Sequence, residues 1–394
     1  MTYRHSLLHP DHQDPMPAIR IDETLVSTAS RQPWSVRSRT LRGGTQEGVD
    51  VVEIDNGKLS FVVLLSRGMG IWKGQNGKTR LGWDSPVKDP VHPSLVNAND
   101  CGGLGWLKGF NEWIVRCGLS SMGAPGADVL VDNNGNEMEA FLPLHGNIAN
   151  LPARAACIEI TAEEIILRGE VHETMMFGPA LRLNTEIRTC FGSSTLTIND
   201  TVTNMGDNPA EHQLLYHVNY GQPLLEKGAR FLAPFKQVAP RDPRAAEGID
   251  HFDTFDAAVP GFVEQAYFME LAGKRGNRET LAMLKNAAGD QASLLRFSLK
   301  DFPCFTLWKN TAGERDGYVT GLEPATAYPN PRRFERQKGR VITLASGQSR
   351  STSLIVENLD TKKAVKAAEA EIKSLQKSAK GKVSQTAIAR FSNI

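Results

Sequence analysis

The chain has 394 residues, 40% hydrophobic and 23% charged, enough for one large all-β domain or two average domains around an ordinary core. A formal net charge of +1 leaves the overall field weak, which argues against nucleic acid or an anionic membrane as partner. The sequence opens without an apolar run of signal-peptide length and holds no stretch of about 18 apolar residues, so a cytoplasmic protein without a membrane partner is expected. Its five cysteines (101, 117, 157, 190 and 304) are odd in number and contain no CxxC pair. That usage suits reduced thiols in a cytosolic core better than a disulfide framework or a zinc site.

The first 35 residues are polar and histidine-bearing and are expected to form a loosely packed extension. His5, His9 and His12 are close enough in sequence to catch a metal adventitiously, but a mobile tail is the plainer reading and no metal site is expected. Strand signals begin near Val51, and 59–66 (LSFVVLLS) is a compact β run that ends in Arg67-Gly68-Met69-Gly70. Residues 80–145 are rich in glycine, proline and tryptophan and read as long ordered loops, which in a compact domain are usually functional.

From 155 to 205 the pattern is strongly β. Leu181, Leu183, Thr185 and Ile187 alternate with polar residues, a turn follows at Phe191-Gly192-Ser193-Ser194, and Leu196, Ile198 and Val202 alternate again. A second hairpin is expected at 279–299, turning at Ala287-Ala288-Gly289-Asp290, with further strands at 304–309, 317–322 and 341–356. One helix is expected over 362–377, with Val365, Ala368, Ile372 and Leu375 on the face that caps the sheet from outside. Strands about ten residues apart, without alternating helices, point to a large antiparallel β-sandwich with a C-terminal helix. The expected division is an extended N-terminal segment at 1–35, one sandwich domain at 36–358, and a helix and tail at 359–394.

Two histidines sit in unusual surroundings, His145 in Leu144-His145-Gly146-Asn147 and His217 in Tyr216-His217-Val218-Asn219-Tyr220-Gly221. Each follows an apolar stretch and precedes a glycine-containing turn, so each is expected at a strand end, where general acid–base work is open to it. Glu323, in Gly321-Leu322-Glu323-Pro324, follows the strand at 317–320 and is held extended by the proline. Taken singly, each has a plainer reading: a half-buried strand histidine bonded to backbone, or a surface glutamate at a turn. Arg67 could grip a ligand through its fork of donors, or could equally make a structural salt bridge. Trp83, Trp106, Trp113 and Trp308 could be platforms for a ligand ring or simply core, and Lys309 and Asp242 are weaker candidates. No GxGxxG after a strand, GxxxxGK[ST], HExxH or GxSxG occurs.

His145, His217 and Glu323, in that order on an all-β chain, make the sequence resemble the aldose 1-epimerase superfamily, whose fold is the galactose mutarotase-like β-sandwich. It is similar in particular to the branch that includes deoxyribose mutarotase-like proteins. The resemblance is carried by Ser66-Arg67-Gly68-Met69-Gly70-Ile71, Leu81-Gly82-Trp83-Asp84-Ser85-Pro86, Arg116-Cys117-Gly118-Leu119, Leu144-His145-Gly146, the run from Tyr216 to Leu225, and Gly321-Leu322-Glu323-Pro324. It implies that Glu323 takes the proton from the anomeric hydroxyl, His217 protonates the ring oxygen, and His145 contacts the sugar. The ring then opens, turns about one bond and recloses as the other anomer, without a cofactor. Arg67, Trp83, Asn219, Asp242 and Lys309 are the implied substrate-binding residues, with Asp242 standing for the aspartate that holds the sugar in galactose mutarotases.

The expected partner is therefore a small-molecule sugar, handled by a monomer or homodimer. Two other readings stay open at this point. One is sugar binding or sensing without turnover. The other is a related epimerase or a lyase on the same fold, although a polymer hydrolase would want a carboxylate pair.

Overall fold

Side chains along a strand point alternately to the two faces of its sheet, so a strict alternation of burial marks a sheet with one dry face. Strand Ala180–Cys190 buries every second residue from Leu181 to Thr189, and Thr195–Asn204 does the same from Leu196 onward. Between them Gly192 takes a positive φ of 70° and closes the expected turn. The computed structural model describes residues 2–11 and 14–393 and places this hairpin in a nine-stranded sheet. The sheet runs, edge to edge, through Tyr3–Leu8, Ala153–Ile160, Glu164–Thr174, Ala180–Cys190, Thr195–Asn204, Ser349–Leu359, Ala292–Ser298, Glu279–Lys285 and Arg230–Leu232.

A fourteen-stranded sheet packs against it. Its centre is the series Gly70–Asn76, Ile114–Leu119, Ala210–Tyr220, Val319–Ala325, Cys304–Asn310 and Gln265–Leu271. Leu167, Leu183, Ile198 and Val356 from the first sheet and Phe61, Leu214, Tyr216, Leu307 and Leu322 from the second share one apolar core. Full burial of each such side chain stabilises the fold by about 1.5–3 kcal/mol. The architecture is thus the large β-sandwich expected, antiparallel except where Lys382–Val383 pairs parallel with Phe235–Pro240 at one edge.

One charge crosses the core. Arg116 donates to both carboxylate oxygens of Asp200 (2.5 and 2.9 Å), to the Gly68 and Met69 carbonyls and to Thr185, while Tyr216 OH also bonds Asp200 at 2.6 Å. Five donors with partners offset the desolvation of a guanidinium held between two sheets. The helix Lys362–Gln376, capped by the Thr361 side chain, lays Val365, Ala368, Ile372 and Leu375 on Leu281, Met283 and Leu294, the outer face of the nine-stranded sheet, as expected.

Several expectations need correction. The segment before residue 35 is not loosely packed: Tyr3–Leu8 pairs with Ala153–Ile160, Ile19–Asp22 pairs with Ser35–Thr40, and Leu7, Met16, Ile21 and Trp34 lie in the core. Of the three N-terminal histidines, His12 lies outside the described residues. The span 80–145 is not all loop. It contains Ile114–Leu119, buried at every position, and the hairpin Gly126–Val131/Glu137–Leu142. The run expected over 341–356 is two strands, Ile342–Leu344 and Ser349–Leu359, parted by a turn in which Gly347 has φ 70°. The cysteines are free, but Cys101 and Cys190 are exposed rather than in the core. No helix among the described residues is long and apolar enough to cross a membrane.

Candidate active site

Strand parity creates the site. On Ala210–Tyr220 the residues Leu214, Tyr216, Val218 and Tyr220 enter the core between the sheets, which sends Leu215, His217 and Asn219 to the opposite face. On the next strand Leu322 enters the core, so Gly321 and Glu323 share the face of His217. The antiparallel register sets Val218 opposite Leu322 and Asn219 opposite Gly321, which brings His217 opposite Glu323. The third strand adds Thr306 beside Glu323 and Trp308 beside Gly321. Both chemical residues therefore lie inside their strands, His217 within Ala210–Tyr220 and Glu323 within Val319–Ala325, not at the strand ends expected.

His217 Nε2 lies 3.2 Å from Glu323 Oε1, and both side chains are almost fully buried. Gly321 makes the contact possible, because any Cβ there would lie 2.8 Å from Glu323 Oε1 and 2.8 Å from His217 Cε1. The other nitrogen of the ring, Nδ1, is 2.6 Å from Asn219 Oδ1. His145 reaches the site from a turn after the hairpin, in the left-handed region (φ 61°), with its Nδ1 2.9 Å from the Met122 carbonyl oxygen. A non-glycine residue in that conformation persists only where its surroundings over-determine it. Here its backbone N–H donates to the Gly123 carbonyl, and its own carbonyl accepts from Gly118 N–H.

Aromatic rings close around the pair. The His145 and His217 rings meet edge to face at 5.5 Å between centroids, Trp106 stands 4.6 Å from His145, and Phe110 and Trp308 stand 5.2 and 5.3 Å from His217. Val115, Cys117, Met122 and Leu215 complete the apolar wall. Such surroundings disfavour both charged forms. Burial pushes the Glu323 carboxyl well above its usual value, with Glu264 adding to the shift. Burial, followed by the neighbouring His145, holds His217 down to about 3, and burial holds His145 down to about 4. Burial thus works against charge on either member of the pair.

Glu264, absent from the sequence reading, marks the solvent side. It precedes strand Gln265–Leu271 on the face of Ala266, accepts from Trp308 Nε1 at 2.6 Å and from Arg241 at 3.0 Å, and leaves 42% of its side chain exposed. No local pattern marks it, because strand Gln265–Leu271 is buried on both faces and its polar and apolar residues do not alternate. Thr306 Oγ1 and Trp106 Nε1, both buried, have no hydrogen-bond partner among the described residues.

The remaining expected ligands have other duties. Arg67 is buried and structural: it pairs with Glu112 at 2.8 Å and donates to the carbonyls of Val91 and Gly109 and to Asn150. Asp242 caps the short helix Pro243–Ala246 by accepting from Ala245 N–H at 2.8 Å, and binds Arg241 with its other oxygen. Lys309 faces the core side of its strand, where Nζ donates to the His251 and Thr254 carbonyls and burial lowers it to about 8. Trp83 packs on Phe110 and donates to the Glu112 carbonyl, and Trp113 is core. Asn219 is fully buried behind His217. Trp106 and Trp308 alone among the four tryptophans stand against the histidines. Among the described residues no cluster of three or more His, Cys, Asp or Glu could hold a metal ion.

The fold is that of a galactose mutarotase-like protein. A protein of Klebsiella pneumoniae, provisionally described as an aldose 1-epimerase, superposes with a TM-score of 0.91 at 32% identity, over 98% of this chain and 99% of that one. A galactose mutarotase-like protein of Clostridium acetobutylicum (TM-score 0.57, 12% identity, 83% of this chain and 98% of that one) shares the fold. So does the galactose 1-epimerase of Lactobacillus acidophilus (TM-score 0.53, 11% identity, 83% and 99%). No curated protein matches the sequence. Residues 46–357 match one family model, and the chain belongs to that family, domain of unknown function DUF4432, within the aldose 1-epimerase superfamily.

Proposed function

We propose that this protein interconverts the anomers of a free sugar or sugar derivative, with Glu323 and His217 exchanging protons with the anomeric hydroxyl and the ring oxygen. The observation that carries this reading is the buried contact of 3.2 Å between His217 Nε2 and Glu323 Oε1. Ring opening needs one proton delivered to the ring oxygen and one removed from the hydroxyl, and a neutral acid–imidazole pair holds one donor and one acceptor for the task. His145, with Nδ1 committed to the Met122 carbonyl, offers Nε2 to a third oxygen of the sugar. Trp308 and Trp106 offer flat apolar surfaces, and Glu264 with Arg241 offers an acceptor and donors for hydroxyls at the open end. The descriptions of the related folds as aldose 1-epimerase and galactose 1-epimerase support the same class.

A second reading, sugar binding without turnover, is favoured by the Trp106 and Trp308 surfaces and the Glu264–Arg241 pair, which can hold a sugar without any proton transfer. NMR saturation transfer between α and β anomers, run across a panel of aldoses and deoxyaldoses with wild type, His217→Gln and Glu323→Gln, decides between them. The catalytic reading expects accelerated exchange for at least one sugar and a drop of about 10²-fold or more in either variant. Exchange at the uncatalysed rate for every sugar, with calorimetric binding of one of them, would leave the binding reading in its place.

A further inference from the structure

The resemblance assigns the proton at rest to His217 and the negative charge to Glu323, and the hydrogen bonds behind the ring fix which of its nitrogens faces Glu323. Asn219 Nδ2 lies 3.0 Å from the Glu112 carbonyl oxygen and 3.1 Å from that of His217. A carbonyl can only accept, so both contacts require the NH2 group there, and the amide is fixed with Oδ1 toward the imidazole. Its outer anchor is held in turn. The Glu112 carbonyl also accepts from Trp83 Nε1 at 3.1 Å, and the Glu112 carboxylate is bound by Arg67 and by Asn111 N–H. At 2.6 Å from Asn219 Oδ1, which is itself an acceptor, His217 Nδ1 must carry hydrogen.

A neutral imidazole with hydrogen on Nδ1 has its lone pair on Nε2, and that lone pair faces Glu323 Oε1 at 3.2 Å. Two buried acceptors cannot face each other at that distance, so one proton lies between them. It could make an imidazolium–carboxylate pair or a carboxylic acid–imidazole pair. The apolar rings that bury the contact favour the neutral pair. His217 is surrounded by His145, Phe110 and Trp308, which give its ring no compensating anion. Glu323 feels the negative charge of Glu264, with the Arg241 cation a smaller and opposing influence, and the thiol of Cys117 on the neighbouring strand is uncharged.

We infer that Asn219 is a positioning residue that locks His217 as the Nδ1–H tautomer, so that the resting pair holds Glu323 as the acid and His217 as the base. The inference rests on the anomer-exchange reading of the same site and inverts the roles that the resemblance implies. In the opening step His217 Nε2 takes the proton of the anomeric hydroxyl, and the freed O–H electron pair becomes the second bond of the C1 carbonyl. The C1–ring oxygen bond breaks toward the ring oxygen, which takes the Glu323 proton. The free aldehyde leaves a carboxylate and an imidazolium behind, and reclosure on the other face returns both protons. The charged pair is thus formed only during turnover, with Asn219 Oδ1 stabilising the imidazolium through Nδ1–H.

The decisive measurement needs no substrate. In protein labelled with 15N-histidine, long-range 1H–15N spectra report which ring nitrogens carry hydrogen, and His217→Gln identifies the His217 signals by their loss. The expected spectrum has a protonated Nδ1 and a bare Nε2, unchanged from about pH 8 to about pH 5, across the ordinary histidine range. A hydrogen on Nε2, alone or with one on Nδ1, overturns the inference whatever the protein does to sugars. In Asn219→Asp the new carboxylate favours imidazolium, so Nε2 gains hydrogen and exchange falls about 10²-fold or more with little change in KM. An Asn219→Asp protein that folds and keeps both the bare Nε2 and the wild-type rate also overturns it, and if that variant does not fold, the wild-type spectrum decides alone. Absence of anomer exchange with any sugar, beside a bare Nε2 in the spectrum, removes the reading of function and leaves the tautomer standing.

Discussion

Replacing Gly321 with alanine tests whether the His217–Glu323 contact is the working part of the molecule. Gly321 has no positive φ, so alanine meets no backbone strain there, and the substitution gains about 0.4–1 kcal/mol by narrowing the unfolded ensemble. Against that, the new methyl group lies 2.8 Å from Glu323 Oε1, 2.8 Å from His217 Cε1 and 3.1 Å from His217 Nδ1. Carbon atoms rest at about 3.5–4.0 Å, so each side chain must retreat by roughly half an ångström or more. Overpacking on this scale costs about 1–3 kcal/mol, and the net loss of stability is expected to be small. Catalysis is more sensitive, because a misplacement of about 1 Å costs on the order of 10²-fold. Gly321→Ala is therefore expected to unfold in denaturant close to wild type while its anomer exchange falls by one to two orders of magnitude. A folded Gly321→Ala protein within about threefold of the wild-type rate would refute the reasoning, since the displacement cannot be avoided.

Three other outcomes follow from the same geometry. Glu264→Gln keeps an acceptor for Trp308 but removes the negative charge that helps hold the Glu323 proton, so the fall of exchange rate at high pH should begin at lower pH than in wild type. An unmoved or rising alkaline limb, measured as the pH profile of saturation transfer, contradicts that coupling. His145, His212 and His217 are buried and lowered from 6.5 to about 4, 4 and 3, so the unfolded chain takes up protons that the folded one refuses. Stability is full above about pH 6.5 and is lost as pH falls from there toward the folded values, by on the order of a few kcal/mol per histidine. His212→Gln, remote from the chemistry, should flatten that slope in denaturant titrations at successive pH values and leave exchange unchanged, and a wild type with flat stability over the window rules the buried neutral histidines out. Arg67→Leu strips the Glu112 carboxylate of its buried partner and should cost about 3–5 kcal/mol of stability, read as a shifted denaturant midpoint. A normal midpoint with only a raised KM would return Arg67 to the sugar.

The sequence was most legible where one physical rule acted alone. The hairpin at 180–204 and the helix at 362–376 show one dry face each, and their alternation or helical period could be read directly. Strand Ile114–Leu119 was not legible, because both its faces are buried and Arg116 interrupts its apolar run. What makes Arg116 a core residue is Asp200 on the opposite sheet, 84 positions later, and no local pattern carries that. The site divides in the same way. His217 and Glu323 could be singled out, but their register depends on pairing across about a hundred residues, and their expected place at strand ends was wrong. Arg67, Asp242 and Lys309 looked like ligands because they sit next to motifs, yet each is used up by backbone carbonyls, a helix cap or a buried carboxylate. A donor-rich side chain near a motif is as useful for holding a loop as for holding a sugar, and sequence does not tell the two apart.

The two layers of the site depend on each other through Arg67. Arg67 grips Glu112 and the Gly109 carbonyl, which fixes the segment that carries Phe110 over the His217 ring and the Glu112 carbonyl behind Asn219. Apolar cover raises the cost of charge on His217 and Glu323, and the oriented amide selects which nitrogen of the ring is bare. Neither would suffice alone. Without the cover the pair would ionise in water and lie as a salt bridge, with no proton on Glu323 to give. Without the amide the neutral ring could turn its N–H toward Glu323 and offer no base. The arrangement separates acid from base by geometry rather than by a standing charge, and a sugar, which brings hydroxyls and no charge, is the kind of substrate that such a neutral pair can take up without first being neutralised.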